Sequence, residues 1–335
     1  MLVVAPREGA APQIDKQELS MSKSNGSTLR DYDAAEDSVK ELYRKSRTNQ
    51  TIESVTRART KYGALPDSIS ALRALELLST YVDVSDPDMS LPNDLHLYQT
   101  ADAIRADGHP DWMQVVGLIH DVGKCLYLKG CDEDGTSKAE QWAIVGDTFV
   151  LGEPLPDCLV YPEFNKLNPD CDARIYEDGC GLDNCLVSYG HDEFLYQMVI
   201  QSEEHKIPPE GLAMIRYHSL YAWHTGGAYT RLENDHDRKM KPWVQLFNKY
   251  DLYPKSTNVL HGKTANGSTR VYATGPENGL PPYVRAGKVE TTCMTCTCPE
   301  LIDLFYNGLC RGCHRDNRGY YKILLRIYLY MDLKF

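Results

Sequence analysis

No run of eighteen or more uninterrupted apolar residues occurs in the sequence, so no segment reads as a membrane-spanning helix. Positive charge is also short. Against 47 Asp and Glu stand 36 Lys and Arg, a formal net charge of −11 with a pI near 5.4. Such a surface repels phosphate backbones and anionic headgroups, which argues against nucleic-acid and membrane partners. The start is not expected to act as a secretory signal either, because its apolar stretch is cut off by Pro6, Arg7, Glu8 and Gly9. No internal repeat is visible. These absences lead us to expect a cytoplasmic protein, and a monomer, whose eleven cysteines are mostly reduced.

What is present is enough apolar material, 42% of 335 residues, for a sizeable core. Residues 1–28 are polar and rich in Ser, Gly and Pro, and read as a disordered tail. From about Asp33 to Thr60 the chain is charged and helix-favouring, and 68–80 reads as an amphipathic helix. Asp83–Asn93 is turn chemistry. Two helices are expected between 93 and 125, split near Gly108–Pro110, with Trp112, Val115, Val116, Ile119 and His120 on one face of the second. A polar loop (126–140) and an irregular excursion with short strands (151–186) follow. Helices return at about 191–202, 208–220 and 239–251, the last with Met240, Trp243, Val244, Phe247 and Asp251 on one face. Residues 29–255 thus form the main domain, 256–290 a linker, and 291–335 a Cys-rich and apolar extension of uncertain fold.

Six residues carry the chemistry: His96, His120, Asp121, His191, His218 and Asp251. Imidazole with carboxylate suits iron, manganese or zinc. Adjacent residues on a helix point about 100° apart. His120-Asp121 can therefore reach one ion from two directions, or bridge two ions through the carboxylate. One histidine on an apolar face is more often a hydrogen-bonded core residue than a ligand. The second His-Asp pair, His191-Asp192, shows how readily such dipeptides arise, and Asp192 is read only as an acceptor orienting a ring. The ordered set within one helical domain is what lifts the case.

The order His, His-Asp, Asp resembles the HD-domain superfamily of metal-dependent hydrolases. The stretches around all six residues resemble the myo-inositol oxygenase family: 85–105, 111–124 (DWMQVVGLIHDVGK), 141–149 (QWAIVGDTF), 180–198, 214–227 (MIRYHSLYAWHTGG) and 242–255. This resemblance implies a mostly α, HD-domain-like helical bundle with long irregular loops. It implies two irons, mixed-valent Fe(II)/Fe(III), one on His96, His120, Asp121 and Asp251, the other on the bridging Asp121, His191 and His218. The second iron then keeps open positions. Implied substrates are myo-inositol and dioxygen, and the reaction is a four-electron ring cleavage to D-glucuronate. Substrate contacts carried over by motif are Arg30, Asp83, Ser85, Lys124, Gly146, Asp147, His218, Ser219 and Lys255, with Asp121 and Lys124 as catalytic groups. Lys124, four residues after His120, is expected to project over the same helix face.

Two regions depart from that family. The loop CDEDGTSKAE lengthens the connection to QWAIVGDTF, at the surface, where it can alter access to the pocket. After Lys255 the C-terminal extension is atypical. Cys293-x2-Cys296 and Cys310-x2-Cys313 have near zinc-ribbon spacing, which points to a structural zinc ion, although Cys298 and His314 crowd the pattern. The terminal YYKILLRIYLY reads as a packed helix or strand, or as an interaction segment. Two rival readings stay open: an HD-type phosphohydrolase on His96, His120, Asp121 and Asp251, and a silent metal-stabilised binding protein.

Overall fold

The computed structural model describes residues 32–63, 68–87, 93–202, 205–252, 258–263, 269–274, 317–329 and 333–334. Arg30, Lys255, Cys293, Cys296, Cys310 and Cys313 lie outside the described residues, so the zinc expectation and two of the substrate contacts have no structural account. The fold is mostly α, and none of the described helices is long and apolar enough to cross a membrane.

The charged stretch from Asp33 to Thr60 forms two helices, α1 (Asp37–Asn49) and α2 (Ile52–Tyr62). Thr51 divides them: its hydroxyl accepts from Ser54 N while Ser54 Oγ accepts from Thr51 N, a reciprocal cap that starts α2. Ser70 caps α3 (Ala71–Leu78) one way only, by accepting from Arg73 N. The expected pair between 93 and 125 is α4 (Asn93–Ala106) and α5 (Asp111–Ile119), parted at Gly108, which has φ +75°. The later helices are α6 (His191–Ile200), α7 (Pro209–Tyr217), α8 (Tyr221–His224) and α9 (Asp235–Asp251). Asn234 and Asp237 form the second reciprocal cap, at the start of α9.

Sheet is minor. Two short strands in the irregular excursion, Val150–Leu151 and Leu186–Val187, pair antiparallel and lead into α6. The segment expected as a linker carries an antiparallel pair, Asn258–Lys263 with Thr269–Thr274. The apolar C-terminal stretch forms α10 (Asn317–Tyr328), with Tyr321, Leu324 and Leu325 buried. Tyr321 donates to Asp102 at 2.7 Å and Tyr320 to Gln114 at 2.9 Å, so α10 docks on α4 and α5. Leu333–Lys334 then pairs with Ser68–Ile69.

Two glycines set how closely the elements that carry the site approach. A Cβ on Gly117 of α5 would lie 3.2 Å from the Ala101 Cα of α4 and 2.7 Å from Ile104 Cδ1, so these helices touch nearly backbone to backbone. A Cβ on Gly123 would lie 1.8 Å from the His191 carbonyl oxygen, so only glycine lets the chain after Asp121 abut the start of α6.

The lengthened acidic loop is pinned at the surface. Lys45 binds Glu140 at 2.7 Å, Lys61 binds Asp134 at 2.9 Å, and Tyr62 donates to Asp134 at 2.7 Å. None of its residues lines the central cleft. Burial would raise the Asp134 carboxyl, but hydrogen bonds from Thr136, Lys61 and Tyr62 bring it down to about 2. A carboxylate lowered in the folded state stabilises above its unfolded pKa, and that contribution is lost as pH falls from about 4 to about 2. Asp134→Asn should therefore cost about 1 kcal/mol at pH 7, discounted for partial exposure. The difference from the parent should shrink toward pH 2 in denaturant titrations. An equal difference at both pH values would exclude an ionised Asp134 as its source.

Candidate metal centre

The residues that converge come from helix ends. α4 presents His96 one turn in, and α9 presents Asp251 at its last position. α6 opens with His191, and His218 directly follows α7. α5 ends at Ile119, and His120 is its C-cap. Asp121 starts a 3₁₀ helix, Val122–Leu128. The continuous helix expected through Lys124 is therefore broken at His120-Asp121. Lys124 reaches the site from the 3₁₀ turn, by a change of winding rather than by α-helical spacing.

The geometry has two halves that share one carboxylate. On one side, His96 Nε2 lies 3.2 Å from His120 Nε2, and Asp251 Oδ1 lies 2.9 Å and 3.2 Å from these two atoms. Asp121 Oδ2 faces that group at 3.7 Å from His120 Nε2 and 4.0 Å from His96 Nε2. On the other side, His191 Nε2 lies 3.0 Å from His218 Nε2, and Asp121 Oδ1 lies 3.0 Å and 3.9 Å from the pair. The two oxygens of one carboxylate thus point into two separate groups of donors. All six side chains are buried.

Hydrogen bonding at the far side of the rings decides what these groups suit. His120 Nδ1 faces Gly117 O at 2.9 Å, His191 Nδ1 faces Ile144 O at 2.7 Å, and His218 Nδ1 faces Ile215 O at 2.9 Å. A carbonyl only accepts, so in each neutral ring the proton sits on Nδ1 and Nε2 is a bare lone pair. Lone pairs at 3.0 Å repel unless something positive lies between them. Burial, reinforced by the neighbouring His191 and His120, pushes His218 down to about 3, so it does not supply a proton at neutral pH. Converging imidazole lone pairs and carboxylate oxygens, with the rings oriented by backbone carbonyls, are the donor set of a divalent or trivalent metal. The residues fit two such ions.

Electrostatics around Asp121 are tightly arranged. Burial would raise its carboxyl, but Lys124, His120 and His191 hold it well below the usual carboxylate range. Asp251 is likewise opposed by burial and held down by His120 and His96. Lys124 Nζ donates to Asp121 Oδ2 at 2.9 Å, to Asp83 Oδ2 at 2.7 Å and to Asn93 Oδ1 at 3.0 Å. Burial alone would lower its ammonium, yet Asp121 and Asp83 keep it above the ordinary lysine range.

Of the expected substrate contacts, Asp83, Ser85, Lys124, Gly146, Asp147, His218 and Ser219 all line one cleft, together with His96, Asp121, His191 and Asp251, while His120 lies buried behind it. Ser85 N and Oγ both donate to Asp83 Oδ1, at 2.8 and 2.6 Å. Against burial, Lys124 and Ser85 bring the Asp83 carboxyl down to about 2. Gly146 has φ +93° and passes under the Tyr43 ring, where a Cβ would come within 3.2 Å. Asp147 Oδ2 accepts from Val160 N at 2.9 Å, and Asp147 Oδ1 lies 3.6 Å from Arg47 Nη2. Asp192, read from sequence as a ring-orienting acceptor, instead accepts from Glu193 N at 2.9 Å, and burial raises it to about 6. Ring orientation falls to backbone carbonyls.

Three kinds of residue were missed. Asn93, one turn before His96 on α4, donates to Asp121 Oδ2 at 2.9 Å while accepting from Lys124. Gln141 joins the two substrate loops: its Oε1 accepts from Tyr81 at 2.9 Å and its Nε2 donates to Val82 O at 3.2 Å. Tyr32, Tyr43 and Tyr221 add walls to the cleft. The position of Asn93, in the right register ahead of His96, was the one signal available. Asn93→Leu keeps the branched shape but strips a donor from Asp121 and an acceptor from Lys124, both buried. A loss of about 1–3 kcal/mol in urea unfolding, with weaker retention of added divalent metal, is expected. Unchanged unfolding and metal retention would remove Asn93 from the site.

A family model described as Myo-inositol oxygenase matches residues 36–266. Inositol oxygenase 1 of Arabidopsis thaliana is 43% identical over 248 residues, which cover 70% of this chain and 78% of that protein. Inositol oxygenase of Dictyostelium discoideum is 42% identical over 68% of this chain and 80% of its own length. Inositol oxygenase of Rattus norvegicus is 41% identical over 74% of this chain and 87% of its own length. With the match to the family model extending over more than half its length, the chain belongs to the myo-inositol oxygenase family.

Proposed function

We propose that this protein opens the ring of myo-inositol with dioxygen, a four-electron oxidation that yields D-glucuronate and water, at two iron ions. His96, His120, Asp251 and Asp121 Oδ2 would hold one ion; His191, His218 and Asp121 Oδ1 would hold the other. The observation that carries this reading is the single carboxylate whose two oxygens enter two separate imidazole groups. The ions, when bound, supply the redox capacity and Lewis acidity that these side chains lack. With four carboxylate and imidazole residues around the first ion and three around the second, room for substrate is left on the second side.

The side chains handle the polyol. Asp83 and Asp147 present carboxylates to hydroxyl donors, and Ser85 holds Asp83 in place. Lys124 stays an ammonium, so it acts as a hydrogen-bond donor and a positive charge near a substrate alkoxide rather than as a base. Every hydroxyl of a buried polyol must find a partner, since each one left unpaired costs about 1–3 kcal/mol. A cleft rimmed by Asp83, Ser85, Asp147, Ser219 and Lys124 meets that demand. Apart from the metal positions, it offers a phosphoester few cationic partners. Asp83, Asp86, Asp121, Asp147 and Asp251 line it, with Lys124 the one ammonium or guanidinium among the described lining residues.

Iron-loaded protein given myo-inositol under oxygen should form glucuronate. Release of phosphate from nucleotides with no glucuronate would favour the hydrolase reading instead. Lys124→Ala should keep its iron but lose about 100-fold or more in kcat, as expected when a preorganised donor to developing charge is removed. Unchanged kinetics would place Lys124 outside the chemistry.

A further inference from the structure

Away from the cleft, the loop that leads into α6 brings two thiols together. Cys180 Sγ and Cys185 Sγ lie 3.7 Å apart. The other four described cysteines have different neighbours: Cys125 Sγ faces Ala74 O, Cys158 Sγ faces Ala222 O, Cys131 Sγ accepts from Lys61, and Cys171 lies beside Asp172. The pairing is built into the backbone. Asn184 Nδ2 donates to Cys180 O at 2.7 Å, and Cys185 N donates to Leu182 O at 3.0 Å. Leu182 N is held by Asp237 Oδ2 at 3.0 Å. These bonds bring the two ends of a six-residue loop together before any covalent bond forms. A disulfide has an S–S distance of about 2.05 Å, within reach of side-chain rotation from this starting point.

We propose that Cys180 and Cys185 form a reversible dithiol–disulfide site whose oxidant is a hydroperoxide. The two thiols differ in access. Cys180 is partly exposed, whereas Cys185 is 2% exposed. Cys180 therefore meets the oxidant and Cys185 resolves it. The Cys180 thiolate attacks one peroxide oxygen: an S–O bond forms, the O–O bond breaks, and the departing hydroxide takes the thiol proton as water. Cys185 sulfur then attacks the Cys180 sulfenic sulfur: the S–S bond forms, the S–O bond breaks, and a second water leaves with the Cys185 proton. Two thiols lose two electrons in total, and the peroxide gains them. A dithiol reductant reverses the bond by exchange. Burial, reinforced by the Cys180 sulfur, keeps Cys185 in the thiol form, so closure should quicken as pH rises.

The loop is tied to the segments that carry His191 and His218. Cys185 precedes His191 by six residues. Asp183, inside the loop, accepts from Arg216 Nη1 and Tyr217 OH, both at 2.7 Å, just ahead of His218. The proposal does not depend on the chain's activity.

The test reads one peptide. Trypsin cleavage after Arg174 and Lys206 releases residues 175–206, whose cysteines are Cys180 and Cys185 alone. The full-length chain is treated with hydrogen peroxide, blocked with iodoacetamide and digested. The peptide should carry no alkyl group and be two hydrogens lighter. Dithiothreitol before blocking should restore two alkylated cysteines. In Cys185→Val the light form should vanish, and Cys180 should instead be trapped as sulfenic acid by dimedone. Two alkylated cysteines after peroxide, or either cysteine joined to a third one, would overturn the proposal. A lack of pH dependence in the closure rate would overturn the assignment of Cys185 as the resolving thiol.

Discussion

One carboxylate holds the arrangement together. Asp121 lies almost wholly out of solvent, where an isolated charge is costly, so its surroundings must compensate on every side. Lys124 and Asn93 take one oxygen, and the imidazoles of His120 and His191 approach from opposite flanks. Without cations between them, several of those neighbours are lone pairs facing a negative charge. With cations, each contact becomes attractive. The site is thus organised around positive charge that the polypeptide does not itself provide, apart from Lys124.

The fold places this carboxylate by ending helices rather than by extending them. His120 closes α5 and Asp121 opens a tighter turn, which places the carboxylate between α4 and α6, with Asn93 on one oxygen and His191 at the other. Glycines at 117 and 123 let the adjoining backbones come close enough for His96 and His191 to reach it from either side. Phe247, one turn before Asp251 on α9, packs its ring 5.2 Å from His120 and 6.3 Å from His218, walling the two halves with apolar surface. Rigid rings fixed by backbone carbonyls leave little for the metal to organise.

Much of this was legible in the sequence. The helix pair at 93–119 followed from apolar spacing and from Gly108–Pro110, and the six candidate ligands followed from their order along the chain together with the family resemblance of the stretches around them. Asn93 and Gln141 were not legible, because an amide carries neither charge nor periodic signal. Their partners lie far off in sequence: Asp121 for Asn93, Tyr81 for Gln141. The placement of Lys124 was misjudged for a different reason. Residue spacing assumes one helix type, and the change of winding at Asp121 is set by tertiary packing against His191. The C-terminal apolar stretch could be read as core or as interface. Its burial on α4 and α5 depends on Tyr320 and Tyr321 finding Asp111, Gln114 and Asp102, which spacing within the stretch does not reveal.

Anomalous diffraction at the iron absorption edge, from crystals of the iron-loaded chain, tests the shared carboxylate most directly. Two peaks are predicted, one among His96, His120 and Asp251 and one between His191 and His218, with Asp121 contacting both. A single peak, or two peaks with Asp121 bound to only one of them, would contradict the account.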